Sequence, residues 1–191
     1  MTALSRLFLA TAAGLILGLI IHLGVILMMP VLSSRDAFAL LESSTGNEPT
    51  GFILSQSTEG GLPWLQFSDP AVSMAVCPYR LDQGPYIISV HNDAPFQSVS
   101  FHARGGGIFF AVTDRAEVRG ELDFIIATDD QMEQIMAMDD YEELYSRYIR
   151  VPAPSMEGLV VLRSLAPSPS FKIKAENAAA LADCRRFEFT E

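Results

Sequence analysis

Two histidines, His91 and His102, stand in the polar part of the chain, and a third, His22, lies in a long apolar stretch. An imidazole can act as a general base or a metal ligand, but only beside a partner that orients it. No G-x-S-x-G occurs, and no serine has a nearby partnered histidine, so hydrolysis has no local signature. His91, Asp93, His102 and Arg104 are close enough in sequence to be the candidates for a ligand pocket. Asp129, Asp130, Glu133, Asp139, Asp140, Glu142 and Glu143 supply the oxygen atoms that hard cations prefer. However, the D-x-[DN]-x-[DN]-G loop is missing and the acids follow helical spacing, so they read as a solvated face and no metal site is assigned. Met132, Met136 and Met138 carry thioethers suited to Cu(I), yet methionines four apart on a helix are ordinary core filler. Gly105-Gly106-Gly107 lacks the spacing of a phosphate cradle and precedes a strand, so it reads as a hairpin tip. Thr113-Asp114-Arg115 closes a strand, where an Asp–Arg contact would fix the chain reversal. No catalytic residue and no cofactor follows from these patterns.

The two cysteines, Cys77 and Cys184, are not arranged as C-x-x-C, which gives redox catalysis and thiolate metal binding little support. In an oxidising compartment they would pair; otherwise they are two unrelated buried thiols. The choice depends on where the chain resides.

That depends in turn on residues 7–29, which hold no formal charge. Twenty-three helical residues rise about 35 Å, enough to cross a hydrocarbon core of about 30 Å. The run is longer than the roughly 7–15 apolar residues of a signal peptide, and the small-x-small site Ala37-Phe38-Ala39 lies well beyond it. An uncleaved anchor over residues 1–32 is therefore expected. Arg6 and the amino terminus precede the span and Arg35 follows it; a short leader of this kind is most simply retained inside. The bulk of the chain would then be periplasmic, with the anchor in the inner membrane. Ala10, Gly14, Gly18 and His22 recur every four residues, a small-residue stripe suited to close packing against another membrane helix.

Residues 33–67 are rich in Ser, Thr, Gly, Glu and Pro and read as an irregular approach, with a helical stub over Asp36–Glu42. From residue 68 to 191, short runs of Val, Ile and Phe alternate with turn residues. Strands are expected at Ala71–Cys77, Tyr86–His91, Ser98–Phe101, Ile108–Thr113, Leu122–Ala127, Tyr148–Val151 and Leu159–Leu165. The second and third of these would form a hairpin across Asn92–Pro95, with His91 and His102 at opposite ends of its ladder. Ser98 and Ser100 alternate with Val99 and Phe101, as in a sheet with one wet face. Thr128 and Gln131 form a capping box ahead of a helix whose Met132, Ile135 and Met136 share one face. A second helix is expected over Ala175–Cys184. The fold class is mainly β, an antiparallel sandwich-like domain with two short helices behind one transmembrane helix. Residues 40–191 hold 11 Lys+Arg against 22 Asp+Glu, which gives no footprint for nucleic acid.

Several segments are familiar. Cys77-Pro78-Tyr79-Arg80-Leu81 with Gly84-Pro85 resembles the C-x-Y-x-L…G-P opening of a bacterial family. Phe109 to Arg115, Val151-Pro152-Ala153-Pro154 ahead of Glu157 to Arg163, and an Ala-rich close ending in Cys184 are similar too. In order and spacing they resemble domain of unknown function 1254, in its short membrane-anchored alphaproteobacterial form. The resemblance implies a β-rich domain behind one helix and no established reaction. It also implies a protein partner, a companion carrying domain of unknown function 1214. The chain departs from the family at Phe96-Gln97-Ser98 and at Arg104-Gly105-Gly106-Gly107, which makes any binding role for that hairpin least secure. The expectation is an interaction module; the alternative is a small-molecule-binding protein or enzyme with a pocket in the sandwich.

Overall fold

A computed structural model describes residues 2–32, 36–45, 51–54, 69–91, 93–117, 120–137 and 148–187. They form two compact units, Met1–Asp36 and Ala37–Glu191. The first unit is one helix, α1 (Ala3–Leu32), whose Ala3–Met29 portion has a mean hydropathy of 2.5 and buries nothing. Its 27 residues rise about 40 Å, so the helix is long and apolar enough to span a bilayer. Ala10, Gly14, Gly18 and His22 are all exposed on it.

Among the described residues the second unit is a two-sheet sandwich with three α-helices. α2 (Ala37–Thr45) leads to β1 (Ile53–Leu54), β2 (Val72–Arg80), β3 (Tyr86–His91), β4 (Gln97–Ala103), β5 (Ile108–Thr113) and β6 (Glu121–Ala127). α3 (Asp129–Met136), β7 (Ile149–Pro152), β8 (Glu157–Leu165), α4 (Lys172–Ala180) and β9 (Asp183–Arg186) follow. The first sheet runs β1-β2-β8-β4-β5 and the second β7-β6-β3-β9. All pairings are antiparallel except β6 with β7, which is parallel and makes the second sheet mixed.

Alternation builds the core. Ala75, Cys77 and Tyr79 of β2, Val99 and Phe101 of β4, and Val160 and Leu162 of β8 face Tyr86, Ile88, Val90, Leu122, Phe124 and Ile126 of the second sheet. Phe101 is the hinge of this layer, its ring 5.2 Å from Phe124 and 5.7 Å from Phe110, both edge-on. Cys77 and Cys184 are disulfide-bonded across it, with Cα atoms 6.5 Å apart and a sequence separation of 107. The bridge joins β2 of one sheet to β9 of the other. A loop of that length is worth about 4–5 kcal/mol in the chain-entropy account.

Three expectations about the elements are corrected. β3 and β4 do not form a hairpin: they belong to different sheets, and the connection through buried Ala94 crosses between layers. Each strand finds two partners in its own sheet, β6 and β9 for β3, β5 and β8 for β4. Cys184 is not helical. α4 stops at Ala180, and pairing of β9 with β3 sets Cys184 opposite Ile88, facing inward. On α3 the capping box is present, but only Met132 and Ile135 are buried, against Ile125 and Ala127, while Met136 is 54% exposed.

Candidate functional site

The outer face of the first sheet carries the densest polar chemistry. α2 lies on it, with Leu41 fully buried against Val76 and Val161 and with Ile53, Met74 and Leu159 packed around them. One turn earlier, Phe38 is buried between two guanidinium groups, Arg80 at 5.8 Å and Arg104 at 4.7 Å from its ring centroid. Arg80 ends β2 and Arg104 follows β4; antiparallel pairing of both strands with β8 brings them to one end of the sheet. Two carboxylates answer them. Arg80 pairs with Glu42 of α2 and sits 3.4 Å from Glu157, and Arg104 also pairs with Glu157. A cavity of about 300 Å³ opens beside the cluster, lined by Arg80, Asp82, Arg104, Ser155, Met156 and Glu157. Its cations are already matched by carboxylates, so it is not an anion cradle. The arrangement is a clamp that fastens α2 to the sheet through ring, charge and apolar contacts together.

Beneath the same end, Gly158 faces inward where a Cβ would come within 2.1 Å of the His102 carbonyl and 2.3 Å of the Tyr79 hydroxyl. Only glycine fits, and it lets the Tyr79 hydroxyl donate to the His102 carbonyl at 3.3 Å. Burial pushes the Tyr79 phenol up to about 12, partly offset by its hydrogen bond with Ser155.

Further along the face, Ser100 Oγ lies 3.0 Å from His102 Nε2, and Arg163 Nη1 donates to that hydroxyl at 3.2 Å. This corrects the expectation that no serine has a partnered histidine. Burial first, and the Arg163 charge second, hold His102 below the usual imidazole range, so the neutral ring is favoured. Ser100 is buried rather than on a wet face, its oxygen also 3.4 Å from the Val161 carbonyl. A buried serine whose hydroxyl is already engaged on three sides is a structural knot, not an available nucleophile.

The four candidate pocket residues are dispersed. His91 ends β3 and lies 3.5 Å from Glu121. Asp93 lines a separate groove beside α4, Arg104 lines the cavity beside Phe38, and His102 belongs to the serine knot. Asp114 Oδ1 is buried without a hydrogen-bond partner among the described residues, so the expected Asp–Arg contact at that oxygen is not made. The reversal is instead closed by a single 3₁₀ turn, with Glu117 N–H donating to the Asp114 carbonyl at 3.0 Å. Among the described residues no three His, Cys, Asp or Glu side chains are grouped to hold a metal. Asp129, Asp130 and Glu133 are exposed; Met138, Asp139, Asp140, Glu142 and Glu143 lie outside the described residues.

Phe38, Glu42, Arg80, Glu157, Ser100 and Arg163 did not stand out in the sequence. Ser100 and His102, two apart on one strand, share a face by period alone, which was a usable signal. The Phe38 clamp had none, because its members are separated by up to 119 residues.

No protein-family model matches the chain, and no curated protein matches it. Among solved structures it is similar to a Vibrio parahaemolyticus protein determined as a structural-genomics target, with a TM-score of 0.57 and 13% identity over 79% of this chain and 34% of that one. It also aligns with an uncharacterised protein of Burkholderia cenocepacia, with a TM-score of 0.41 and 12% identity over 72% of this chain and 34% of that one. The chain therefore spans about a third of the length of either protein. The likeness to the Vibrio protein is one of fold alone.

Proposed function

We propose that this chain is a single-pass inner-membrane protein whose sandwich domain lies on the oxidising, periplasmic side and docks a companion protein. The observation that carries the reading is the disulfide between the two sheets in a domain that follows a helix long enough to span a bilayer. A partner is supported by the resemblance to domain of unknown function 1254, whose companion carries domain of unknown function 1214. It is also supported by the occurrence of the same fold within a chain more than twice as long, where further polypeptide is attached covalently. The transmembrane helix joins the interface through Gly14 and Gly18, where an added Cβ meets nothing within 4 Å in this chain.

Protease added to intact spheroplasts is expected to digest the domain and leave the helix; sparing of the domain overturns the location. In detergent, Gly14→Ile with Gly18→Ile is expected to cut recovery of the companion severalfold. Unchanged recovery removes the helix from the interface.

A second reading rests on the cavity of about 300 Å³ beside Phe38, which is large enough for a small molecule. Ligand-induced protection of Met156, 56% exposed at its rim, from oxidation would favour it.

A further inference from the structure

Arg163 of β8 is a half-buried cation that meets no carboxylate among the described residues, whereas Arg80, Arg104 and Arg185 each have one. A guanidinium taken partly out of water is costly unless acceptors meet its N–H groups. Among the described residues one contact does so, Nη1 on Ser100 Oγ at 3.2 Å. Arg163 can only donate, so Ser100 accepts, and the serine proton is left for His102 Nε2 at 3.0 Å when that ring is neutral. The serine knot thus fixes the fork by one nitrogen and leaves its other donors unclaimed. Strand register sets hydroxyls beside them. Ser98 of β4 lies opposite Arg163 on one side and opposite Thr113 of β5 on the other. Val99, Val112 and Leu162 pack against the core, so alternation puts Arg163, Ser98 and Thr113 on the outer face with Ser100 and His102. Ser98 and Thr113 are half-buried, and their hydroxyls make no hydrogen bond among the described residues. With strands about 4.8 Å apart, the row of three is about 10 Å wide, the span of one small ligand. Ala111, opposite Ser100, is small and exposed, which leaves the β5 side of the row open.

We infer that this row binds a small carboxylate, held by the Arg163 guanidinium and by the hydroxyls of Ser98 and Thr113. The planar fork matches a carboxylate, and both hydroxyls are donors to its oxygens. Charge selects a monoanion. The row carries one fixed positive charge, because burial and Arg163 itself keep His102 neutral. Residues 40–191 hold 22 acidic against 11 basic residues, so a phosphate dianion would be left half-compensated in a negative field. The other charges of this face are engaged or apart. Arg104, one same-face step beyond His102, belongs to the Phe38 clamp with Glu157 and Glu42. β5 carries no charge, and Asp114, just past it, forms no ion pair with Arg163. The site is independent of the docking proposed above, and either can fail alone.

His102 reports occupancy. An anion on Arg163 cancels a charge that disfavours the imidazolium, so binding moves the His102 midpoint up, and protonation of His102 strengthens binding in return. In the full chain in zwitterionic detergent, the His102 ring resonance is identified by its absence in His102→Gln. It is then titrated with acetate replacing chloride at constant ionic strength. The expected result is a His102 midpoint that rises and saturates with acetate while that of His91 stays in place. Arg163→Gln should raise the His102 midpoint without acetate and weaken acetate binding by about tenfold or more. Ser98→Ala with Thr113→Val should leave the starting midpoint unchanged and still weaken acetate severalfold, which separates lost ligand contacts from a displaced Arg163. Three results overturn the site: an identical His102 midpoint in acetate and chloride, a His91 midpoint that moves in step with it through bulk screening, or a response that survives Arg163→Gln. Inorganic phosphate saturating at a lower concentration than acetate overturns the assignment to a monocarboxylate.

Discussion

The two ends of the first sheet are built from similar materials to opposite effect. At one end, Arg80 and Arg104 enclose the ring of Phe38 and find Glu42 and Glu157; cation, ring and carboxylate are satisfied within the domain. At the other, Lys172 and Lys174 flank Ile173 and form no ion pair among the described residues, although Asp93 lines the same groove as Lys174, and Ile173 and Leu181 face solvent. Guanidinium groups stack and fork, so they suit a closed internal clamp, whereas ammonium groups on flexible stems stay hydrated in solvent. Density of charge alone is thus a poor guide to function, because the richer cluster holds the domain together.

That contrast can be broken or sharpened by substitution. The largest expected effect comes from Cys77→Ala with Cys184→Ala, which should cost about 4 kcal/mol in chemical denaturation and loosen both ends together. Phe38→Ala should cost about 3 kcal/mol and raise hydrogen exchange in α2 while leaving α4 unchanged. Equal loosening of α4 would show that the ends are coupled. Gly158→Ala should cost about 2 kcal/mol by forcing the Tyr79 ring or the His102 carbonyl aside, again at the clamped end only.

Titration probes the clamped end as well. The Tyr79 phenol rises from 10.0 to about 12 on folding, so its contribution is complete below pH 10 and disappears as pH climbs through about 12. Phenolate absorbance should show one late-titrating tyrosine, missing in Tyr79→Phe. His102 moves the other way: its folded value is depressed, so its contribution is present above the ordinary imidazole value of 6.5 and is lost as pH falls through the lower folded value. Ser100 and Arg163 are the groups that face it, and His102→Gln should flatten that acid limb. The smallest effect on stability is expected from Ile173→Asp, within about 0.5 kcal/mol, because nothing inside the domain relies on that side chain.

The fold was legible wherever the signal was local. β3 and β5 have the bounds that alternation and turn residues give them, and Thr128 with Gln131 caps α3 as the spacing requires, while Gln131 Nε2 also donates to the Leu81 carbonyl at 2.6 Å. Local composition predicts only a stub for α2, but the helix runs to Thr45 and packs within the sandwich unit, because Leu41 and Phe38 find a sheet face that no local pattern reveals. The sequence pattern predicts that β2 stops at Cys77; it continues through Pro78 to Arg80, beyond the stretch paired with β1, where a proline is tolerated. The topology between β3 and β4 escapes local pattern for a similar reason. A short turn between two strands fits a hairpin and an inter-sheet crossing equally, and partners supplied by distant β8 and β9 decide between them. Of the candidate site, residue types were visible but their grouping was not.

The covalent link between β2 and β9 encloses almost the whole sandwich, from Cys77 to Cys184, in one ring. A single proteolytic cut in any connection inside that ring leaves two pieces that travel together until a reductant is added. A protein of this design can be nicked in service and still keep the α2 clamp and the α4 groove on the same molecule.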